Sequence, residues 1–392
     1  MDRREIVKSL AGLSGAVLLP SVAAVARAQA RRPRIAVVGA GIMGASIAYH
    51  LAGQGAEVIV LEKAAPGIGA TQGAFAMLIA THEGGDRAFN DLYGMAVLDW
   101  RRLELELNGA VAVQWGGTAS WTAPGQKADE LNALTRQLQG WGAPIRAITA
   151  EELQRLVPGV VPGPFGAGNF SPDQGTLDPT EALEALIAAG RRRGVQYRFP
   201  CEVAALATDG RKLTGLKTTA GPIEADAVVL AAGAAVPDLA GQVGVKAPID
   251  VVSGTLAHSK PFPRVLQRVL NGPDGSLKQD PDGRIVTGAD YRPGASGTDV
   301  SQAYGERLLA LAARTAPALS GARLEKMTLG YVPIPVDSHP IVGFCAAPAN
   351  LYLALTMSGV TMAPLMGRFA ASEILDGIAV EVLKPYRPSR FA

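Results

Sequence analysis

The sequence predicts an α/β fold in which a second, α+β domain built on an antiparallel sheet interrupts the first domain. A short buried strand over residues 34–38 leads into a glycine-rich turn and a helix, and a second buried strand follows at 57–61. Residues 248–288 read as short strands separated by Asp-Gly pairs, which is typical of an antiparallel sheet. The length of 392 residues is enough for two domains.

The composition excludes several classes of protein. The chain is 48% hydrophobic and 18% charged and has two cysteines, so it is neither a disordered chain nor a disulfide scaffold. Its net charge is +2, and its lysines and arginines do not cluster as nucleic-acid binding requires. No nucleic-acid partner is predicted. The two cysteines, Cys201 and Cys345, lack metal-ligand spacing, so no metal site is predicted either.

Residues 1–30 have the layout of an export signal. A cationic start precedes an apolar run over 10–25, and Ala28-Gln29-Ala30 provides an A-x-A cleavage site. The apolar run is too short and too weakly hydrophobic for a membrane-spanning helix. Arg3 and Arg4, followed by two apolar residues and a lysine, resemble the twin-arginine signal, which predicts a periplasmic or otherwise exported protein that uses the export machinery. An ordinary secretory leader is the alternative.

The turn after the first strand carries a G-x-G-x-x-G pattern, which predicts a Rossmann-like dinucleotide-binding domain. Its first glycine allows a tight turn, its second lets the backbone approach a pyrophosphate, and its third lets the helix pack on the strand. Glu62 lies 23 positions after the first glycine, where a carboxylate accepts hydrogen bonds from ribose hydroxyls and repels a 2′-phosphate. The predicted cofactor-binding residues of this turn are Gly39, Ala40, Gly41, Ile42, Met43 and Gly44.

Four further segments carry a family resemblance. They are the small-residue loop 66–74, the strand 225–234 that ends in Ala-Ala-Gly-Ala, and the C-terminal segments 330–343 and 357–364. With the opening motif, they make the mature chain resemble the FAD-dependent D-amino-acid oxidase family, which includes glycine oxidase, sarcosine oxidase and D-amino-acid dehydrogenases. The resemblance implies FAD rather than NAD. It also implies noncovalent binding, since Cys345 does not match the cysteine that sarcosine oxidases link to flavin.

The resemblance also implies a role for the helix that follows Ser358. Its N-terminus points at the flavin N1 and C2 carbonyl, and the positive end of a helix stabilises the negative charge that reduction places there. The sequence predicts Pro364 in the first turn of this helix, where a missing N–H costs nothing. Besides the turn and Glu62, the predicted cofactor-binding residues are Lys63, Gly69, Ala70, Thr71, Gly73, Ala74, Val203, Ala232, Gly233, Ser358, Gly359, Val360 and Thr361.

The predicted domain organisation is discontinuous, as in the family. After the export signal, residues 31–85, 150–245 and 325–392 form the FAD-binding domain, and residues 86–149 and 246–324 form the substrate domain. Within these ranges, Thr149 with Glu152 predicts a capping box, and Asp178 before Pro179 predicts a helix start.

The substrate side departs from the family pattern. Many members have an arginine that binds the substrate carboxylate where this chain has Val332, and related sequences often have a histidine where it has Met357. A substrate without a carboxylate and an arginine from elsewhere, such as Arg292, are both compatible with this change. The predicted catalytic residues are His82, Asp290 and Tyr291. The residues predicted to line the substrate site are Glu83, His258, Tyr331, Val332 and Met357.

The sequence thus predicts an FAD-dependent oxidase or dehydrogenase that oxidises the C–H bond beside an amine or amino-acid nitrogen to an imine, by hydride transfer to flavin N5. Positioning supplies much of such catalysis, so few catalytic side chains are needed. Oxygen or a respiratory quinone or carrier would accept the electrons. Oxidation of an N-methyl or cyclic amine without a carboxylate clamp is one alternative, and a non-catalytic flavin-binding module is another.

Overall fold

Short strands and helices alternate along the chain. In the computed structural model, the described residues are 32–82, 84–288 and 297–392. The helices of these ranges are α1 (Ile42–Gly53), α2 (Arg87–Glu106), α3 (Gln126–Gly140), α4 (Ala150–Leu156), α5 (Pro179–Arg192), α6 (Val236–Gly241), α7 (Gln302–Thr315) and α8 (Gly359–Asp376). Short 3-10 helices cover Gly233–Ala235, Pro317–Leu319, Glu381–Tyr386 and Pro388–Phe391.

The strands of the described ranges form four sheets. In chain order the strands are β1 (Arg34–Val38), β2 (Glu57–Leu61), β3 (Met77–Leu78), β4 (Thr118–Thr122), β5 (Arg146–Ala147), β6 (Ala167–Ser171), β7 (Gly175–Thr176), β8 (Gln196–Arg198), β9 (Val203–Thr208), β10 (Leu213–Thr218), β11 (Gly221–Ile223), β12 (Ala227–Leu230), β13 (Ile249–Ser259), β14 (Val269–Gly272), β15 (Gly275–Gln279), β16 (Ile285–Gly288), β17 (Leu324–Pro335), β18 (Ile341–Phe344) and β19 (Leu351–Leu355).

A largely parallel sheet carries the predicted nucleotide motif. Its order is β18-β19-β12-β1-β2-β8, and every pair is parallel except β18 with β19. Strand β1 lies between β12 and β2, with Val37 paired to Val229 on one side and Val60 on the other. These residues are buried, as expected for a parallel sheet covered on both faces. The carboxyl ends of β1, β2 and β12 therefore meet at one edge.

The second large sheet has the order β17-β13-β16-β15-β14-β4-β6-β5 and is antiparallel except where β14 meets β4. Both Asp-Gly pairs lie at hairpin connections, one between β14 and β15 and one between β15 and β16. Strands β9, β10 and β11 form a small antiparallel sheet, and β3 pairs with β7. The predicted α/β class with a second, antiparallel sheet is confirmed.

Helices α4 and α5 begin at the capping residues that the sequence predicts. Thr149 and Glu152 form the capping box of α4, since each side chain bonds the other residue's backbone N–H. The Asp178 carboxylate accepts from the N–H groups of Thr180 and Glu181 at the start of α5, with Pro179 at the first position. These confirmed starts depend only on neighbouring residues.

The predicted domain boundaries stay a prediction. Residues 33–392 cluster as one compact unit. Helix α2, which the boundaries assign to the substrate domain, packs Phe89 and Leu92 into the core cluster that also contains Ile47 of α1 and Leu365 of α8. Strand β6 lies inside a range assigned to the FAD-binding domain and pairs within the antiparallel sheet. None of the described helices is long and apolar enough to cross a bilayer.

Helix α8 corrects one expectation. It begins at Gly359, so Pro364 lies inside the helix and not in its first turn. Proline has no N–H for the carbonyl four residues earlier, which here is that of Val360. The indole Nε1–H of the fully buried Trp100 donates to Val360 O at 2.9 Å and lies 3.1 Å from Thr361 O. A side chain from α2 thus replaces the missing backbone hydrogen bond, which the sequence did not reveal.

We expect Trp100→Phe to lower the free energy of unfolding by about 2–4 kcal/mol, because it leaves the buried Val360 carbonyl unpaired and removes packing volume. Trp141→Phe is a matched control, since Trp141 is half-buried at the end of α3, and should cost less than about 1 kcal/mol. Urea denaturation of the two variants measures the difference. Equal losses would contradict the role assigned to the indole N–H.

Candidate active site

In the turn between β1 and α1, backbone atoms of different segments pack directly against each other. Gly39 has φ +108°, and a Cβ there would lie 2.5 Å from Ala231 O at the end of β12. A Cβ on Gly44 would lie 2.0 Å from Gly39 O. Both distances are far below any van der Waals contact, so only glycine fits either position. This is the close approach that the glycine pattern predicts.

The N-terminus of α1 opens beside a carboxylate. Gly41 is the N-cap residue and provides no side-chain cap. Glu62, at the end of β2, accepts a hydrogen bond from Ala40 N–H at 2.9 Å, and Thr71 Oγ1 accepts from Ile42 N–H at 3.2 Å. The positive end of the helix and the Glu62 carboxylate therefore lie on the same turn, as a bound dinucleotide requires.

A cavity of about 730 Å³ runs along this edge of the parallel sheet, and we name it the nucleotide cleft. Of the predicted cofactor-binding residues, those that line it are Gly39, Gly41, Glu62, Lys63, Gly69, Ala70, Thr71, Val203, Ala232 and Gly233. Residues that the sequence did not reveal also line it, among them Cys201, Ala204, Leu239 and Gln242. They lie in or beside β9 and α6, which carry no nucleotide motif, so only the folded chain identifies them.

The other predicted cofactor-binding residues do not line the nucleotide cleft. Ala40, Ile42, Met43 and Gly44 are buried at the start of α1, where they support the turn. Gly73 lies against β17, since a Cβ there would be 2.3 Å from the Gly330 Cα. Ala74 lines a different cavity, described below. The remaining four, Ser358 to Thr361, form the start of α8.

The start of α8 is tied to the chain segment that follows loop 66–74. Thr361 Oγ1 accepts from Ile79 N–H at 3.3 Å and donates to Met77 O at 3.1 Å. Tyr93 Oη donates to Ser358 Oγ at 2.7 Å. Burial raises the pKa of Tyr93, outweighing the opposite effect of the Ser358 contact, and leaves the phenol protonated. The first turn of α8 and the Met77–Ile79 segment therefore form one rigid unit.

Val332 and Met357 lie together in an apolar cluster. Val332, Val252 and Ile334 are buried there, and Met357 packs against them. Tyr331 was predicted to line the same site, but it points to the opposite face of β17 and lines the nucleotide cleft. Successive side chains of a strand alternate between its two faces, so Tyr331 and Val332 point away from each other. The structure therefore places Tyr331 and Val332 in different surroundings.

His82 lines a second cavity of about 320 Å³, which we name the inner cavity. Met77 and Ile79 form part of its wall, and the antiparallel sheet contributes Ser120 and Asn271. The inner cavity therefore shares the Met77–Ile79 segment with the start of α8. His82 Nδ1 is within hydrogen-bond distance of both the oxygen and the nitrogen of Gly84, at 3.0 Å each.

His258 lies in a third cavity, of about 350 Å³, together with Asp178 and Lys326. Its Nε2 is 2.9 Å from Thr328 Oγ1. Burial, with nearby Lys326 and then Lys278, lowers the pKa of His258 to about 4, so its ring is neutral at pH 7. The structure therefore separates His258 from His82, although the sequence prediction placed both at the substrate site.

The remaining predicted site residues, Glu83, Asp290 and Tyr291, lie outside the described residues, as do Arg292 and the predicted leader 1–30.

Cys201 and Cys345 are buried free thiols. Burial raises the pKa of the Cys345 thiol to about 12, so it stays protonated and unreactive. Noncovalent cofactor binding stays a prediction. Within the described ranges, no three or more His, Cys, Asp and Glu side chains are grouped to hold a metal ion.

Comparison with known proteins identifies the family. The model of the DAO family, described as FAD dependent oxidoreductase, matches residues 34–373, which begin at β1 and end within α8. The chain belongs to this family. It is therefore an FAD-dependent oxidoreductase, and the predictions of an enzyme and of FAD as its cofactor are confirmed.

Individual relatives agree with the family assignment. The chain is 25% identical over 389 residues to human mitochondrial dimethylglycine dehydrogenase. This match covers 92% of the present chain but only 44% of the dehydrogenase. It is 27% identical over 379 residues to the uncharacterized oxidoreductase YurR of Bacillus subtilis, covering 90% of this chain and 98% of the relative. The crystal structure of glycine oxidase from Geobacillus kaustophilus superposes with a TM-score of 0.83 at 24% identity, covering 91% and 99% of the two chains, and shows the same fold.

The nucleotide cleft of this DAO-family oxidoreductase fits the adenosine diphosphate part of FAD. Its volume is in the usual range for cofactor sites, and the glycines of the β1–α1 turn leave room that any Cβ would take. The N–H groups at the start of α1 suit the pyrophosphate, and Glu62 suits the ribose hydroxyls. Val203 and Ala204, across the cleft, would border the adenosine.

We expect Glu62→Gln to raise the dissociation constant for FAD about tenfold, because hydrogen bonds to a carboxylate are roughly twice as strong as those to a neutral acceptor. Titration of the apoprotein with FAD, followed by flavin fluorescence, measures this constant. Glu57→Gln is the control, since Glu57 is exposed at the start of the same strand, β2. An unchanged affinity in Glu62→Gln would contradict the placement of the ribose.

Proposed function

We propose that this DAO-family oxidoreductase oxidises the C–H bond beside an amine nitrogen. The amine loses two electrons and two protons to give an imine, and water hydrolyses the imine to a carbonyl compound and ammonia or a smaller amine. Bound FAD supplies the two-electron acceptor for the hydride that leaves carbon. Oxygen or a respiratory quinone or carrier then takes the electrons. The names of two relatives, dimethylglycine dehydrogenase and glycine oxidase, support an amine substrate, since dimethylglycine and glycine are both amines.

The observation that carries the proposal is the rigid connection between α8 and the inner cavity. Thr361 bonds both Met77 and Ile79, which wall that cavity. The family resemblance assigns the flavin to the N-terminus of α8. A substrate in the inner cavity would therefore contact a segment that is hydrogen-bonded to the same helix N-terminus. That helix end stabilises negative charge by about 0.3–2 kcal/mol without a cationic side chain. Fixed geometry of this kind supplies much of the catalysis in a hydride transfer.

The apolar cluster around Val332 favours an N-methyl or cyclic amine over a primary amino acid. Val332, Val252, Ile334 and Met357 place hydrocarbon where many family members have the arginine that binds a carboxylate. Burying a carboxylate against such a surface without a partner is costly. An N-methyl group or a ring carbon instead gains from contact with the apolar residues of the inner cavity, such as Met77, Ile79 and Leu134. Dimethylglycine dehydrogenase, which oxidises an N-methylated amine by its name, supports this preference.

We expect anaerobic mixing of the FAD-loaded enzyme with amines to bleach the visible flavin band. The panel contains pairs that differ by one methyl group, benzylamine with N-methylbenzylamine and glycine with N-methylglycine, together with proline and D-alanine. The N-methyl member of each pair should reduce the enzyme about tenfold faster or more, the range expected for one methyl group in an apolar pocket. Bleaching by no member would favour a flavin-binding module and overturn the proposal. Faster reaction of the primary amines would overturn only the N-methyl preference.

We also propose that residues 1–30 direct export of the folded, FAD-loaded enzyme by the twin-arginine route, which the Arg3-Arg4 pair supports. In a bacterial host with this pathway, the double substitution Arg3→Lys and Arg4→Lys should keep the protein in the cytoplasm. Arg27→Lys is the matched control, because it makes the same exchange outside the pair. Immunoblots of periplasmic and cytoplasmic fractions measure the distribution. Normal export of the double variant would contradict the route.

A further inference from the structure

The inner cavity has a polar wall and an apolar wall. Helix α3 contributes Leu134 and Leu138, and Ile145 extends this apolar surface. The sheet and its connections contribute amide and hydroxyl groups, those of Ser120, Asn169, Gln174 and Asn271 among them. Among the described residues that line the cavity, none is Asp, Glu, Lys or Arg.

The polar wall is held in place by its own hydrogen bonds. Asn169 Nδ2 donates to Thr135 Oγ1 at 3.0 Å, and that hydroxyl in turn donates to Leu131 O at 2.7 Å. Gln174 Nε2 donates to Thr81 Oγ1 at 3.0 Å. Asn169 and Gln174 are both about 5% exposed, so neither is free to turn toward solvent. The wall therefore presents amide groups in fixed positions, which suits recognition of a specific partner.

Asn271 provides a buried acceptor that lacks a partner. Its Nδ2 approaches Ser120 Oγ at 3.5 Å and Met77 Sδ at 3.9 Å. Its Oδ1 is buried and has no hydrogen-bond partner among the described residues. An unsatisfied buried carbonyl oxygen is costly, and such groups are rare unless a ligand or water completes them. A ligand that donates an N–H or O–H group to Asn271 Oδ1 would remove this cost.

We propose that the inner cavity binds the substrate through Asn271 Oδ1 and selects amines that carry a neutral hydrogen-bond donor, an amide or a hydroxyl, in place of a carboxylate. The amide or hydroxyl donates to Asn271, and the hydrocarbon part of the substrate packs on Leu134 and Leu138 of α3. A carboxylate has no hydrogen to donate to Asn271 Oδ1 and loses its hydration against an uncharged wall. The inference deepens the proposed amine oxidation and rests on it.

A substrate series that changes only the acid group tests the selection. N-methylglycinamide and N-methylethanolamine carry the neutral donor, and N-methylglycine carries the carboxylate. We expect kcat/KM for the amide and the alcohol to exceed that for the acid by tenfold or more, because a site built to pair with a donor rejects the analogue that lacks it. Equal or better turnover of N-methylglycine would overturn the inference while leaving amine oxidation intact.

Variants of Asn271 test the assigned contact. Asn271→Leu removes the acceptor at similar size and should raise KM for N-methylglycinamide about tenfold, with a smaller change in kcat. Asn132→Leu is the matched control, because Asn132 lies on α3, two residues before Leu134, and does not line the cavity. If Asn271→Leu and Asn132→Leu behave alike, Asn271 does not bind substrate.

A binding measurement separates this inference from the proposed reaction. Methoxyacetamide and methoxyacetate replace the amine nitrogen by an ether oxygen, so neither is an amine that can be oxidised to an imine. Binding of either compound to the holoenzyme is followed by the change in the flavin spectrum. We expect the dissociation constant of methoxyacetamide to be at least tenfold lower than that of methoxyacetate. In Asn271→Leu the two dissociation constants should become equal. Tighter binding of methoxyacetate would overturn the inference. Selective binding of the amide without reduction by any amine would instead contradict the proposed function.

Discussion

The nucleotide cleft depends on the approach of two backbone segments at Gly39. The turn after β1 passes the end of β12 so closely that a Cβ would lie 2.5 Å from Ala231 O, and Gly44 brings α1 onto the same turn. Only this crowding places the N-terminus of α1, the carboxylate of Glu62 and the small residues after β12 around one space. A larger residue at either glycine would push these parts away from each other and from the cofactor.

The start of α8 extends this arrangement to the substrate side. Pro364 removes a backbone hydrogen bond from the helix, and the indole of Trp100 replaces it. Thr361 then bonds the Met77–Ile79 segment, which follows the nucleotide-binding loop in the chain. One short stretch of backbone thus connects the nucleotide cleft, the helix N-terminus and the inner cavity. Rigid connections of this kind hold reacting groups at fixed separation, which is what a hydride transfer needs from a protein.

The polar groups near the candidate site lie in separate cavities. Tyr331 faces the nucleotide cleft while its neighbour Val332 is buried in the apolar cluster. His258 lies with Lys278 and Asp280, a buried pair whose Nζ and Oδ1 are 2.6 Å apart, in a cavity of mixed charge. The described lining of the inner cavity has amides and hydroxyls instead. The charged cavity and the neutral one therefore suit different ligands, although one sheet contributes to both.

The sequence by itself determined the features that neighbouring residues control. Strand, glycine turn, helix, strand and acid follow one another within 34–62, and the helix starts at Thr149 and Asp178 need only local capping groups. The fold class and FAD followed from these features and the family resemblance. Tertiary structure alone decided that the Trp100 indole donates to the Val360 carbonyl, that Cys201 and Gln242 border the nucleotide cleft, and that Asn271 meets Met77 in the inner cavity. These residues lie far apart in the chain, and no periodicity or motif records which distant side chains meet when strands pair and helices pack.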